Sequence, residues 1–348
     1  MYKASRWTIP EDFMSFQHFR RSVLALDWQS SPGYPYMFTG TSNALFFKPE
    51  NEEVFEERLQ YMWQIVQQHI REHKADPIRI FIKGEPLPRR KLQDSRYRLI
   101  SSVSVADQII DLMIFGTHNQ KMVETYSEIP NKAGWAPTGG GWKLVDPQPK
   151  LAIDKSSWDW SVHAWLLDME LQVREALCVQ VTEEWKQLAV YRYKCMFKNP
   201  EFVNSDGMLF RQRYPGVMKS GCQNTISTNS ICQVILHVLV SLRINIPVSN
   251  IWTMGDDTLQ ELPQKLPEYI QALSQYCHVK HHVMRNEFAG YRFKGYRVEP
   301  MYCGKHAYTL LHLNPKYIEE TLDSYLLNYH RSENMTFFEW LARSLGFP

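Results

Sequence analysis

Two carboxylates stand side by side in the tripeptide Gly255-Asp256-Asp257. Two short apolar or β-prone runs, 251–254 and 258–259, flank the acids, which predicts a hairpin with the carboxylates at its tip. Gly255 supplies the permissive backbone for the tight bend. Adjacent acids repel each other unless a cation lies between them, and hard oxygen ligands suit Mg²⁺ or Mn²⁺. An isolated Gly-Asp-Asp is usually a polar turn, so a case for chemistry needs further residues.

A second pair of acids, Asp154 and Asp159, has four residues between its members. The apolar run 151–153 directly precedes Asp154, which predicts an acid at the tip of a short strand. Acids on a helix surface are the alternative interpretation.

A loop of small residues, 220–224, runs into an apolar helix. Thr225 and Asn229 are four residues apart, so both face the same side of that helix. Hydroxyls and an amide on one face can read a sugar, and they can equally act as helix caps.

The segment 83–98 is the most cationic part of the chain, with six basic side chains against Glu85 and Asp94. Arg96 and Arg98 are two residues apart in a β-like run, so both are predicted to project to one side. Guanidinium groups on one face suit a polyphosphate. A solvated loop is the alternative.

Regular elements surround these segments and position them. Ile78, Ile80 and Ile82 alternate as a strand that delivers Lys83 at its end. Ser104 opens a helix, with Asp107 placed as in a capping box. Further helices are predicted over residues 52–73, 162–185, 231–242, 266–276, 315–329 and 336–345, and short strands near 279–283 and 287–294.

Composition limits the possible classes. The chain has 348 residues, 44% of them apolar, and a net charge of only +2. It is therefore a folded protein, and any nucleic-acid partner must be read from local clusters. The six cysteines form no Cys-x-x-Cys pair, which favours free thiols in a reducing compartment. No signal peptide or membrane span is predicted, because the apolar helix 231–242 is too short and carries His237.

Five motifs thus occur in a fixed order: a basic arginine segment, Asp-x4-Asp, Ser-Gly-x3-Thr-x3-Asn, Gly-Asp-Asp and a strand lysine. In this order the sequence resembles the RNA-dependent RNA polymerases of positive-strand RNA viruses. The segment 96–108 looks like the sobemovirus and polerovirus group in particular. The resemblance covers about residues 31–294.

The resemblance implies an α+β right-hand polymerase fold. Fingers are expected over 1–148, a palm with an antiparallel sheet over 149–300, an inserted fingers segment over about 170–215, and a short thumb over 301–348. Residues 31–35 resemble the template-entry motif, and residues 288–293 resemble the primer-gripping motif. Met254 replaces the more widespread tyrosine before the Gly-Asp-Asp.

The resemblance also assigns roles to single residues. Asp154, Asp256 and Asp257 match the acids that hold two divalent ions, Mg²⁺ or Mn²⁺. Lys280 matches a lysine that protonates pyrophosphate, although a surface lysine is an equal alternative. The residues that match the ribose and triphosphate contacts of an incoming nucleotide are Asp159, Ser220, Thr225 and Asn229 for the ribose 2′-hydroxyl, and Lys83, Arg96 and Arg98 for the triphosphate.

The expected function is RNA-dependent RNA synthesis from ribonucleoside triphosphates by two-metal-ion nucleotidyl transfer. A reverse transcriptase and a non-catalytic RNA-binding replication scaffold remain alternatives. Expected partners are the RNA template and product strand, with other viral replication proteins; initiation with or without a protein primer stays open. The expected location is a replication complex in the host cytoplasm, associated with membranes through partners.

Overall fold

The computed structural model describes residues 1–347, and it is a mixed α+β protein. Helices carry the outer layers and most of the core. Their bounds are α1 (Phe16–Leu24), α2 (Asn43–Phe47), α3 (Glu52–Glu72), α4 (Arg89–Gln93), α5 (Val105–Glu124), α6 (Trp158–Ser161), α7 (Ala164–Leu177), α8 (Glu183–Tyr193), α9 (Thr225–Arg243), α10 (Leu266–Leu273), α11 (Cys303–Leu311), α12 (Ile318–Tyr329) and α13 (Met335–Ser344).

The strands form three sheets, with the orders β2-β1-β4-β5, β6-β7-β3-β8 and β11-β10-β9. All pairings are antiparallel except that of β1 with β4. Their bounds are β1 (Ile78–Ile82), β2 (Leu99–Ser102), β3 (Leu151–Lys155), β4 (Glu201–Val203), β5 (Leu209–Arg211), β6 (Ile251–Met254), β7 (Asp257–Gln260), β8 (Val279–Met284), β9 (Glu287–Phe288), β10 (Tyr291–Lys294) and β11 (Arg297–Pro300).

Strand β3 lies in the middle of its sheet, between β7 and β8. Side chains alternate across a strand, and both faces of β3 are covered. Leu151 and Ile153 belong to the main core, whereas Ala152 belongs to a second cluster with Trp135 and Phe288. A slip of one residue would exchange the two faces, so this packing fixes the register and with it the position of Asp154.

The β2-β1-β4-β5 sheet joins two distant parts of the chain. Strand β1 pairs with β2 on one side and with β4 on the other. The pairing of Ile82 with Leu99 is continued by a backbone hydrogen bond from Lys83 to Arg98, at 2.8 Å. The sheet therefore holds the base of the cationic segment between Lys83 and Arg98.

The helix predicted over residues 162–185 is wrong as one element. Helix α7 ends at Leu177, and α8 begins only at Glu183, after Thr182 caps it. Between the two, the backbone is extended because Trp7 donates to the Leu177 carbonyl and accepts from the Val179 amide. A partner from the far N-terminus thus ends the helix, which local periodicity does not reveal.

Arg96 and Arg98 do not lie in a strand, so the prediction of a shared strand face is wrong. The residues before β2 form the short helix α4 and a turn, with Ser95 at a positive φ of 51°. Helix α11 was not predicted either. The capped start of α5 at Ser104 is confirmed, because its side chain accepts from the Asp107 amide.

Helix α9 has 19 residues, more than the twelve of the predicted apolar stretch at 231–242. By length and composition it could cross a bilayer, but 67% of its most apolar window is buried inside the protein. Ile231 and Val234 pack in one cluster with Ile251 of β6. It is therefore a core helix that supports the sheet.

Candidate active site

The Gly-Asp-Asp segment forms the predicted hairpin between β6 and β7. Gly255 has a φ of +64°, the left-handed conformation that glycine adopts without steric cost. The Gly255 amide donates to the Ser230 hydroxyl on α9 at 3.0 Å. The tip that carries Asp256 and Asp257 is therefore fixed to the core helix beneath it.

Asp154 lies beside this hairpin. In the β3–β7 register Ile153 is opposite Thr258, so Asp154 follows at the edge where β7 begins with Asp257. Alternation places Asp154 on the same face of the sheet as Ala152, and Asp257 on the same face as Leu259. Both apolar residues belong to one cluster. The two acids therefore occupy one face at one end of the sheet.

The electrostatics agree with a convergence of acids. The Asp257 side chain is exposed at its edge, but most of the space around its carboxylate is filled by protein. This burial raises the pKa of Asp257 to about 6, and the charges of Asp256 and Asp154 contribute to the shift. Lys155 acts in the opposite direction. The remaining excess of negative charge favours a bound cation.

Lys280 and His281 of β8 contact Asp154. The Lys280 ammonium lies 2.7 Å from Asp154 Oδ2, and His281 Nδ1 lies 3.3 Å from the same oxygen. Across residues 1–347, the set of His, Cys, Asp and Glu side chains whose ligand atoms come within 4.8 Å of one another is His69, Asp76 and Asp107, not the hairpin acids. The three acids therefore do not all lie within that distance of one another, and one oxygen of Asp154 is engaged by Lys280.

The donor set itself fits a hard divalent ion, because it consists of carboxylates from a strand and a neighbouring hairpin. Nitrogen or sulfur ligands would favour a softer metal. Asp154 is half-buried and Asp256 is exposed, so their side chains have room to rotate. The three acids that the sequence analysis selected thus lie at one end of the sheet. Their side chains would have to move closer together to bind a shared cation.

Lys155 was missed by the sequence analysis. It points to the opposite face of the sheet, where its buried ammonium donates to the Thr258 hydroxyl at 2.9 Å. Burial lowers its pKa to about 8, although the charges of the nearby acids oppose this shift. A cation directly beneath three carboxylates reduces their mutual repulsion. Its signal was a lysine within an apolar strand, next to Asp154.

Asp159 and Asn229 form a hydrogen-bonded pair. The Asn229 amide donates to Asp159 Oδ1 at 3.0 Å, and its carbonyl oxygen accepts from Trp158 Nε1 at 2.9 Å. Trp158 and Asn229 are buried, so the amide is held in one orientation. Partial burial and the charge of Asp256 raise the pKa of Asp159, whereas Asn229 and Arg98 lower it. Asp159 thus faces both the acids and the cationic segment.

Ser220 and Thr225 have different surroundings from that pair. The Thr225 hydroxyl lies 2.8 Å from the Cys222 carbonyl and 2.9 Å from the Lys219 carbonyl, so its proton is engaged within the loop. Ser220 Oγ accepts a hydrogen bond from the Ser101 amide at 3.3 Å, so its own hydroxyl proton can still be donated to a ligand. Neither hydroxyl forms a hydrogen bond with Asp159 or Asn229, although Ser220 and Asp159 line one cavity.

The three predicted triphosphate ligands have acidic partners. Lys83 and Arg98 lie 3.5 Å and 3.4 Å from the Glu85 carboxylate, whereas Arg96 pairs with Asp94 at 2.7 Å. Partial burial of Glu85 opposes its ionisation, but Arg98, Lys83 and Lys305 outweigh this and hold its pKa below the ordinary value. Lys83 and Arg98 are therefore brought together, and Arg96 is not.

Helix α11 lies close to the same space. Lys305 reaches Glu85 at 3.5 Å, and the ring of Tyr302 would lie 3.1 Å from a Cβ added at Gly290. Burial and the charges of the three hairpin and strand acids raise the pKa of Tyr302. Sequence reasoning missed Tyr302 and Lys305, because nothing in their local pattern connects them with acids so far away along the chain.

The model of the family described as viral RNA-dependent RNA polymerase matches residues 18–292, which include the site residues described in this subsection except Tyr302 and Lys305. The chain belongs to this family. The resemblance noted from the motifs is therefore confirmed for the family as a whole.

Several relatives of this polymerase family come from the two groups that the segment 96–108 indicated. The chain is 29% identical over 291 residues to Protein P1-P2 of Potato leafroll virus, covering 74% of the chain and 27% of that protein. It is 33% identical over 219 residues to Replicase polyprotein P2AB of Southern cowpea mosaic virus, covering 58% and 21%. The corresponding polyprotein of Southern bean mosaic virus is 35% identical over 202 residues, covering 55% and 20%.

The chain thus spans only about a quarter of the length of the first curated relatives that it matches, 27% in the case of the potato virus protein. The similarity therefore concerns only a part of those longer proteins. Divalent-metal dependence is general for polymerases of this family, and it agrees with the carboxylate donor set described above.

Proposed function

We propose that this chain is an RNA-dependent RNA polymerase that copies a viral RNA template from ribonucleoside triphosphates. The observation that supports this best is the convergence of five polar groups on one space: Asp154, Asp256 and Asp257 at the end of the central sheet, facing the Asp159–Asn229 pair. A metal-binding site beside a ribose-reading pair is what nucleotide addition requires.

In this proposal the chain has the parts of a right hand. The palm is the β6-β7-β3-β8 sheet with α9, within 149–300, and the short thumb is 301–348 with α11 to α13. The fingers are 1–148 together with the inserted segment at about 170–215. The sheet β2-β1-β4-β5 supports this division, because β4 of the insert pairs with β1 of the N-terminal part and β5 pairs with β4.

Each group has a proposed task. When bound, two Mg²⁺ or Mn²⁺ ions activate the 3′-hydroxyl of the growing strand and stabilise the leaving pyrophosphate. Asp154 and Asp256 would hold the ions, Asp257 would complete their surroundings, and the buried charge of Lys155 would keep the three acids together in their absence. Lys83 and Arg98 would contact the triphosphate, exchanging Glu85 for phosphate oxygens.

The Asp159–Asn229 pair is proposed to select ribose. A carboxylate accepts the proton of a 2′-hydroxyl, and an amide held by Trp158 donates to its oxygen. A deoxynucleotide would leave these groups unpaired, which is the type of difference that a site discriminates strongly. Thr225 would stabilise the loop, and Ser220 has the free proton that a ribose contact needs.

Lys280 is proposed to act in turn on two groups. Its ammonium pairs with Asp154 in this structure. If cations took over the charge of Asp154, Lys280 would be free to donate a proton to pyrophosphate. Arg96 is also proposed as a phosphate ligand, and it would have to release Asp94 to bind phosphate. RNA would be bound through its backbone, and a location in a host cytoplasmic replication complex remains part of the proposal.

A template-dependent extension assay tests the function. The purified chain is incubated with an RNA template, with and without an RNA primer, and with Mg²⁺ or Mn²⁺ and either ribo- or deoxyribonucleoside triphosphates. Metal-dependent extension with ribonucleotides is the expected result. A preference for deoxynucleotides would identify a reverse transcriptase instead. RNA binding with no extension under all of these conditions would identify a non-catalytic scaffold.

A further inference from the structure

A cavity of about 290 Å³ lies between the glycine-rich turn that precedes β3 and the end of α12. It is separate from the residues assigned above. Its walls include Gly139, Gly140, Trp142 and Lys143 on one side and Asn328, His330 and Arg331 on the other. The turn side contributes bare backbone and a lysine, and the helix side contributes an arginine and a histidine.

The charge of this cavity has one sign. Lys143, His330 and Arg331 line it, and no Asp or Glu does. Over residues 1–347, neither Lys143 nor Arg331 has a carboxylate oxygen within 4.0 Å, whereas Arg297 next to the cavity is paired with Glu333. Cations that lack protein counter-charges, gathered in a concave surface, favour an anionic ligand.

The guanidinium of Arg331 is held in place by an aromatic ring. It lies over Trp142 with its central carbon 4.1 Å from the ring centroid, and its Nη1 donates to the Tyr296 carbonyl at 3.5 Å. Stacking fixes the plane of the group and leaves further N–H donors free. A planar fork held in this way suits the oxygens of a phosphate.

The opposite wall lets a ligand approach the main chain. Gly139 and Gly140 have φ values of 64° and 100°, and a Cβ added at either would meet no heavy atom within 4 Å. The space beside them is therefore open, and the left-handed conformation favours glycine there. Bare backbone next to basic side chains is a common arrangement in phosphate-binding loops.

The position of the cavity connects it with the polymerase site. Trp142 packs against the cluster that contains Ala152 and Leu259, and these two residues lie on the face of the sheet that carries Asp154 and Asp257. Tyr291 of β10 also belongs to this side, and its hydroxyl donates to Asn328 in the cavity wall at 2.7 Å. One apolar cluster therefore connects the wall of the cavity with the strands that carry the acids.

We propose that this cavity, with Lys143, His330 and Arg331, binds backbone phosphates of RNA as a second contact outside the catalytic centre. The inference rests on the proposed function for the identity of the ligand. Arg331 covers a face of Trp142, so that face is not free for a base, and recognition is directed to phosphate without sequence readout. A free nucleotide would also need a pocket for its base.

The test compares a double variant, K143Q with R331Q, with a matched control, K316Q with R343Q, which removes two exposed charges from the C-terminal part outside the cavity. A fluorescein-labelled single-stranded 16-nucleotide RNA is titrated by polarisation at several salt concentrations. We expect weaker binding for the cavity variant and a salt slope smaller by about 1.4, since each phosphate contact on a single strand contributes about 0.7. The control variant should lose less RNA affinity and less of the salt slope than the cavity variant.

Acetylation footprinting separates the possible sources of phosphate. Lys143 should be protected from acetylation by RNA, and not by ATP or inorganic pyrophosphate at the same phosphate concentration. Equal RNA affinity and salt slope in both variants would overturn the proposal, and so would protection of Lys143 by ATP alone. K143Q by itself repeats the comparison if R331Q, which removes the Trp142 stack, lowers the melting temperature.

These measurements need no catalysis. If the extension assay fails while the cavity variant still loses RNA affinity, the proposed function is wrong and the cavity assignment stands. If extension occurs and the cavity variant binds RNA like the control, the proposed function stands and the cavity assignment is wrong.

Discussion

Two groups of charged side chains in this protein differ in how completely the protein neutralises them. Between α5 and α8, the buried guanidinium of Arg192 bonds to Asp107 and Asp111. On α7, Arg174 bonds to Glu170 at 2.6 Å. At the end of the central sheet, three acids have the charge of Lys155 beneath them, and one of them, Asp154, has an exposed contact with Lys280. The first group is satisfied by the protein, and the second is not.

The difference indicates which charges serve the fold and which serve chemistry. Burying an ion costs several kcal/mol unless partners and hydrogen bonds compensate, so Arg192 is surrounded by acceptors. The hairpin acids reach solvent, and the charges of Asp256 and Asp154 add to burial in raising the pKa of Asp257, so a cation would relieve part of this shift. Incomplete neutralisation near solvent is thus the mark of the proposed catalytic centre.

The largest expected effect comes from D256N, which removes a charge from the unsatisfied group. Nucleotide addition should fall by about a thousandfold or more, because several kcal/mol of transition-state stabilisation depend on the metal ligands. The melting temperature without metal should not fall, since a repulsive charge is lost. A variant that keeps activity within about tenfold in the extension assay would contradict the assignment of Asp256.

R192M disturbs the satisfied group. It leaves Asp107 and Asp111 buried without their cation, so the free energy of unfolding should drop by about 3–5 kcal/mol. Urea denaturation measures this drop. The matched control is K186M, which breaks the solvent-exposed pair with Glu175 at 2.6 Å and should cost far less. Equal losses in both variants would remove the distinction drawn above.

N229A tests the polar pair that faces the acids. Asp159 would lose its amide donor, so the ratio of ribo- to deoxyribonucleotide incorporation should fall by about 10- to 100-fold, the effect of about 1–3 kcal/mol. Single-nucleotide extension with competing substrates measures the ratio. S227A, which removes a buried hydroxyl on the same helix bonded to Arg174, should leave it unchanged. A wild-type ratio in N229A would exclude the proposed ribose role.

Lys219 differs from both groups, because its buried amino group has no carboxylate among its hydrogen-bond partners. These partners are the Gln212 side chain and the Gly216 and Val217 carbonyls. Burial lowers its pKa from 10.5 to about 7. Between pH 7 and pH 10.5, Lys219 is protonated in the unfolded chain and neutral in the folded chain. The free energy of unfolding therefore increases as the pH rises through this range and decreases as the pH falls toward 7.

The rise amounts to at most about 1.4 kcal/mol per pH unit. Urea denaturation at pH 7.5 and 8.5 should therefore show a smaller increase in K219M than in the parent. K198M, which removes the partly exposed partner of Asp168, should keep the parental slope. A slope in K219M equal to that of the parent would mean that Lys219 stays charged in the folded protein.

The smallest expected effect concerns the exposed contact between Lys280 and Asp154. Exposed ion pairs contribute about 0.2–1 kcal/mol, so K280M should bind Mn²⁺ about two- to fivefold more tightly, because Asp154 no longer needs to leave a partner. Calorimetry without nucleotide measures this, with K294M as the control for a lost surface lysine. Weaker Mn²⁺ binding in K280M would show that the lysine supports the metal site instead.

Local sequence determined the elements whose causes are local. The Gly255 turn, the Ser104 cap, the alternating strand of β1 and the apolar run before Asp154 each depend on side chains within a few residues, and all four are as predicted. The order of the motifs was enough to identify the family.

The tertiary structure alone decided which distant groups meet. It placed Lys280 on Asp154, Lys155 beneath the acids, and Lys305 with Lys83 and Arg98 on Glu85. It also separated Arg96 from that group and divided the helix predicted over 162–185. Hydrogen bonds and charges act through space between residues far apart in the chain, so no periodicity within one segment records them.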